Sequence, residues 1–308
     1  MSNSLSQKLH TVPAAIVFGL IAAFIWGVWP VVSALSIDQS LSALDLTALR
    51  FGVAAIILLP LFWKLKLGIF GRGQLSWKAV ILLVTGAGLP YVLAGTGGLE
   101  FAPAGHFGVI TPSTQLMTST LGSWLILKET QSRTRWIAVG IILCGVVMTG
   151  WEGLQGRGEN VWIGDLMFFS AGVLWGTFTL SARHYSVETF HAAAVVSVWS
   201  ALIFFPIYLF FLDSGIPTAS ISEIIIQGVV QGLLTAVVAL ILFTRAIAII
   251  GAGRSAVFPT LVPGTVVILA IPILNEYPTL IEIIGLIIVS IGMVLAMGLL
   301  DRFIGQRR

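Results

Sequence analysis

Ten apolar runs, each about the twenty residues that cross a bilayer as a helix, constrain this chain more than any motif in it. They lie near residues 13–35, 44–63, 77–99, 104–127, 134–151, 161–182, 189–212, 221–245, 253–275 and 280–300. Only helices and closed barrels satisfy their backbone in hydrocarbon, and these runs are continuous where a barrel strand would alternate. Composition agrees: of 308 residues 57% are hydrophobic and 9% are charged, against roughly a quarter charged in a soluble domain. Lipid is therefore the solvent this chain needs. Its 16 Lys and Arg are scattered between the runs and make no basic face, which excludes nucleic acid as a partner.

Charge reports the topology. With the N-terminus in the cytoplasm, Lys8, Lys64, Lys66, Arg72, Lys78, Lys128, Arg133, Arg135, Arg183, Arg245, Arg254, Arg302, Arg307 and Arg308 all fall on the cytoplasmic side, and only Arg157 falls outside. Asp38, Asp45, Glu100, Glu152, Glu159, Asp213, Glu223, Glu276 and Glu282 segregate to the opposite side. Ten spans with both termini cytoplasmic are expected.

The two halves repeat. Trp26-Gly27 in FIWG matches Trp175-Gly176 in VLWG at an offset of 149, and Pro60 matches Pro206 at 146. GLEFAPAG, ending at Gly105, aligns with AIAIIGAG, ending at Gly253, at 148; Glu129 pairs with Glu276 and Gly145 with Gly292 at 147. Residues 1–151 and 161–308 are thus expected to be five-helix repeats joined by the polar, Gly-rich linker 152–160. Five is odd, so the second repeat must cross the membrane in the opposite sense, giving an inverted-topology pair around a central cavity. The fold class expected is an all-α integral membrane protein.

Chemistry for an enzyme is missing. The chain has no GxSxG, HExxH, Walker loop or cysteine cluster, so neither hydrolysis, metal catalysis nor ATP-driven pumping has residues to carry it, and no cofactor or metal is expected. His184, Glu188 and His191 lie together, and a solvated turn accounts for them better than a metal site. A membrane-embedded scaffold or lipid-handling protein is the alternative of another class.

Polar and helix-breaking residues inside the runs point to a path. No carboxylate lies near the middle of any span; polarity comes from Thr111, Ser113, Thr114 and Gln115, from Gln227 and Gln231 on one face of the eighth, and from Thr260. Their clustering on few helices favours hydration over simple interhelical bonding. Pro112 in the fourth span and Pro259 with Pro263 in the ninth occupy counterpart helices, where transporters place kinks that free carbonyls for solute. Arg50 is read as a paired or snorkelling residue, and Glu129 and Glu276 as turn caps or gate residues near Lys128, Arg133 and Arg135.

These residues together resemble the drug/metabolite transporter superfamily, specifically its EamA-type members: Trp-Gly in spans one and six, Gly164-Asp165 opening the sixth, Arg50 in the second, and Lys128-Glu129 and Asn275-Glu276 closing the fourth and ninth. The family's Gly-Glu dipeptide is replaced at both places, and Val196 stands where the first half has Arg50. The resemblance implies a multi-pass exporter of the bacterial inner membrane, most similar to exporters of amino acids, aromatic ones included. It implies a small, amino-acid-like solute as partner, alternating access, and a cavity lined by spans one, three, four, six, eight and nine. Trp26, Pro30, Tyr91, His106, Pro112, Gln115, Trp175, Ser255, Pro259 and Pro263 are the residues expected in or beside it. With no titratable group at mid-depth, facilitated diffusion is expected, and the runner-up is a proton-coupled drug/metabolite or nucleoside exporter that exchanges protons through Glu100, His106 or Asp165. Monomer and dimer both stay open.

Overall fold

The computed structural model describes residues 11–66, 75–151, 155 and 160–298. Most of the linker 152–160 lies outside these residues, as do Lys8, Arg72, Arg157, Arg302, Arg307 and Arg308 of the charge pattern. Among the described residues every element is helical: α1 Val12–Ile37, α2 Ala43–Lys64, α3 Trp77–Ala87, α4 Leu89–Gly98, α5 Ala104–Leu125, α6 Arg133–Thr149, α7 Val161–His184 and α8 Thr189–Phe211. Then follow α9 Ile221–Gln227, a π-helical segment Gly228–Val238, α10 Ala239–Ile250, α11 Ala252–Ser255, a 3-10 turn Pro259–Leu261, α12 Val262–Leu274 and α13 Leu280–Ala296.

Six stretches are long and apolar enough to cross a membrane: Val12–Ile37, Ala43–Lys64, Trp77–Gly98, Val161–His184, Thr189–Phe211 and Ile221–Ile250. Pro259–Leu274 and Leu280–Ala296 are shorter apolar helices. Trp63, Phe210, Phe211 and Ile221 are all more than three-quarters exposed. Side chains of that size bared to water would drive aggregation, so this surface belongs in lipid.

Local chemistry explains where the rods break. Gly88 at φ −95° and ψ −137° separates α3 from α4, and Pro90 sits in the first turn of α4, where its missing N–H costs nothing. Ser200 Oγ takes the freed Leu89 amide at 3.2 Å. In the eighth run the Thr235 hydroxyl donates to Val230 O at 2.7 Å, a five-residue step that matches the π turn around it. Pro259 opens the 3-10 turn that interrupts the ninth run, but Pro112 lies within the unbroken α5. Of these two counterpart runs, the ninth is interrupted at its prolines and the fourth is not. Beside Pro112, Ser113 Oγ donates to Val109 O of its own helix at 2.5 Å, and Thr111 Oγ1 donates across to Phe168 O of α7 at 3.1 Å.

The most extensive pairings cross between the halves: α6 with α13, α5 with α7, α8 with α2, α10 with α1, α7 with α4 and α3, α2 with the π-helical segment, and α12 with α1. Two of these contacts depend on the glycine after each tryptophan. A Cβ on Gly27 would stand 2.5 Å from Thr265 Cγ2, and one on Gly176 would stand 2.6 Å from Thr118 Cβ, so only glycine lets these helices touch.

Acids on one face serve helix N-termini, whose free N–H groups attract negative charge. Glu100 accepts from the Ala43 amide at 3.0 Å, and Asp45 and Glu282 complete capping boxes with Ser42 and Thr279. Glu276 accepts from Ala104 and Gly105 at 3.0 and 3.3 Å. The segregation of acids read from sequence is thus also a consequence of which helices begin there.

Candidate functional site

A cavity opens where α1, α2, α7, α8 and the eighth run converge. Trp26, Arg50, Phe51, Ala54, Trp175, Phe178, Val196, Ser197 and Thr235 are among its walls, as is Thr189 at the start of α8. Trp26 stands edge-on to Phe243 with centroids 5.2 Å apart. Trp175 is held by Tyr91 at 4.6 Å and Phe178 at 5.5 Å. The two tryptophans of the repeated Trp-Gly thus face one space. No Asp or Glu lines it among the described residues.

Arg50 is the charge in that space. It is 6% exposed, and its guanidinium carbon lies 5.0 Å from the centre of the Trp29 ring, a cation–π contact. Trp29 cannot turn away, because its Nε1–H donates to Gln231 Oε1 at 2.5 Å. Gln231 Nε2 in turn donates to Ser33 Oγ at 2.7 Å and Gln227 Oε1 at 3.2 Å, while Gln227 Nε2 reaches Val32 O and Ser36 Oγ. Both glutamines are fully buried and bonded to α1, so the expected hydrated path along them is replaced by a polar seam between helices. Arg50 Nη1 has no hydrogen-bond partner among the described residues. The expected snorkelling arginine is instead a buried one.

The expected site residues divide. Trp26 and Trp175 line the cavity; Tyr91 is buried behind Trp175 and 6.2 Å from Trp29. Pro30 is buried in α1, and Pro112 and Gln115 lie on α5, which packs so closely on α7 that Gln115 N and O stand against Gly172 and Gly176. Ser255 is buried with its hydroxyl on Gly251 O at 3.0 Å, Pro259 opens the 3-10 turn, and Pro263 is buried in the first turn of α12. None of these last six borders the cavity. Spans two and seven supply walls that the sequence assigned to four and nine, because small residues draw α5 and α12 too close to their neighbours to leave room. Phe178 went unnoticed, and Val196, read as the residue at Arg50's place in the second half, was not expected on the wall, although it stands 146 residues after Arg50, the offset that relates Pro206 to Pro60.

His106 belongs to a second cavity, between α5, α13 and the turn joining α12 to α13, which Glu276, Tyr277 and Thr149 also line. Its Nδ1 is 2.7 Å from Asp165 Oδ1 and its Nε2 is 2.8 Å from Glu282 Oε1. Glu129 pairs with Arg183 Nη2 at 2.6 Å rather than with Arg133 or Arg135; the Nε of Arg135 donates to Thr120. No group of three His, Cys, Asp or Glu among the described residues could hold a metal, and Glu188 caps α8 at the His191 amide.

Residues 13–151 and 162–298 each match the EamA-like transporter family. The Bacillus subtilis protein called uncharacterized transporter YetK is 25% identical over 253 residues, covering 78% of this chain and 74% of that one. A solved structure described as "Crystal structure of protein" has a TM-score of 0.62 at 16% identity, covering 93% of this chain and 98% of that chain, a likeness of fold.

Proposed function

The chain belongs to the EamA-like transporter family and is a transporter rather than an enzyme, and from that premise we propose that it exports small amphipathic metabolites, neutral and aromatic amino acids among them, by alternating access. The observation that carries this reading is the meeting of Trp26 and Trp175, one from each half, on one cavity. Indole walls suit solutes with an apolar body, and the buried guanidinium and the Ser197 hydroxyl suit a polar end.

Ten spans in two inverted repeats, with both termini in the bacterial cytoplasm, are part of the same proposal. Support comes from the family's two matches and from pairings that keep their form when the halves are exchanged: α5 with α7 as α12 with α1, and α1 with α10 as α7 with α3 and α4. The glycine contacts exchange too, Gly27 on Thr265 and Gly176 on Thr118. In this arrangement the side where Glu276 caps α5 and His106 ties α7 to α13 is the outer one. The solute enters past Thr189 from the cytoplasm. With no carboxylate on the walls, the cavity has no group to exchange a proton with solute, and movement follows the solute's own gradient.

Uptake of radiolabelled L-phenylalanine into proteoliposomes tests this. Each of Trp26→Ala and Trp175→Ala removes an aromatic wall worth roughly 1–1.5 kcal/mol and is expected to slow uptake about tenfold while expression holds. Uptake no greater than in empty liposomes overturns the reading.

A further inference from the structure

We infer that Arg50 is the anion-binding residue of this cavity and that the carboxylate, not the amine, is what the cavity demands of its solute. The inference rests on the cavity being the solute site.

A guanidinium buried without a counter-charge is costly, and side chains of this kind are retained when something pairs with them. Arg50 has no ion pair among the described residues, and its Nη1 is buried without a partner. The residue is held for display: the Trp29 ring lies under the guanidinium, and Gln231, Gln227, Ser33 and Ser36 lock that ring's helix in place. Arginine offers a rigid fork that fits a carboxylate with two parallel bonds.

The opposite wall says what the rest of the solute is. Val196, the residue at Arg50's position in the second half, also lines the cavity, so the two equivalent places carry one cation and one apolar side chain. A single anionic group fits at Arg50, with an apolar body lying toward Val196, Trp175 and Phe178. An ammonium finds no carboxylate among the lining residues, only hydroxyls such as that of Ser197. Monocarboxylates with an aromatic or branched body are therefore the class selected, amino acids being the members that happen to carry an amine. Organic cations of the same shape are rejected.

Hydrocinnamate and phenethylamine share a ring and a two-carbon chain and carry opposite charges. In proteoliposomes of the full chain, hydrocinnamate is expected to inhibit L-phenylalanine uptake, and phenethylamine to leave it unchanged at equal concentration. Arg50→Met is expected to weaken hydrocinnamate inhibition by about tenfold or more, the worth of a charge-assisted hydrogen bond, with Arg50→Lys retaining part of it. Arg50→Met gives up the contact with the Trp29 ring but also removes a buried charge that has no ion pair, so it should melt close to the wild type, which separates lost binding from lost folding. Equal inhibition by phenethylamine, or undiminished hydrocinnamate inhibition in Arg50→Met, overturns the inference. If the wild type carries no phenylalanine, the transport reading fails by itself, and thermal stabilisation of the purified chain by hydrocinnamate decides this one: a shift in wild type absent from Arg50→Met supports it, and no shift in wild type refutes it.

Discussion

Glu129 and Glu276 leave their helices through the same backbone turn and then take different partners. The preceding residues, Lys128 and Asn275, adopt φ of 55° and 57°. The Glu129 amide donates to Ser123 O at 3.0 Å and the Glu276 amide to Ala270 O at 3.3 Å, six-residue steps one residue wider than the bond that closes the common glycine-ended helix. A left-handed residue is what both turns require, which explains why glycine suits the place and how asparagine meets it. Glu276 then caps α5, whereas Glu129 pairs with Arg183 in an exposed contact.

Burial holds the Glu276 carboxyl above its ordinary value of 4.5, with the Ala104 and Gly105 amides opposing that rise. A raised folded value means the native state holds the proton more tightly than the unfolded chain, so the stabilisation is complete below the ordinary range and is lost as pH rises through the raised one. The melting temperature of wild type relative to Glu276→Gln, followed from pH 4 upward, is expected to fall across that window and then level. A difference that grows with pH would contradict the burial argument.

The Glu129–Arg183 pair has side chains 41% and 54% exposed, and a solvated pair contributes within about 1 kcal/mol. A double-mutant cycle of Glu129→Gln and Arg183→Gln should return a coupling of that size in stability, while phenylalanine uptake by either variant changes more than its stability does. A coupling of several kcal/mol would make the pair a structural tie and remove it from any gate.

His106 presents both ring nitrogens to carboxylate oxygens, an arrangement the doubly protonated ring satisfies with two N–H donors. Replacing it with glutamine leaves Asp165 and Glu282, 14% and 16% exposed, facing each other without their cation. Breaking such a buried set costs about 3–5 kcal/mol, and adding Asp165→Asn to His106→Gln should recover part of that loss in thermal unfolding. Nitrogen-15 spectra of histidine-labelled protein should show both His106 nitrogens protonated at neutral pH; a single protonated nitrogen would refute the bridge.

Sequence by itself determined what is local. Run length and the scarcity of charge make the chain a membrane protein, serines and threonines before acids set where helices start, and the repeated Trp-Gly marks two helices whose glycines must meet a neighbour. Only the tertiary structure decided which side chains meet. Arg50 had an acid five residues away in Asp45, yet Asp45 is taken by Tyr208, Ser214 and Gly215, and Arg50 faces a cavity. Gln227 and Gln231 share a face by spacing, but whether that face met water or α1 was fixed by helices some 190 residues apart in the chain. His106 lies near the outer end of its run, and its partners, 59 and 176 residues away, are not legible in the sequence, so its place in a second cavity was not foreseen. Periodicity assigns a residue to a helix face, and the close approach of small residues, Gly172 and Gly176 of α7 against α5 and Gly27 of α1 against α12, decides which faces are pressed shut and which are left open for solute.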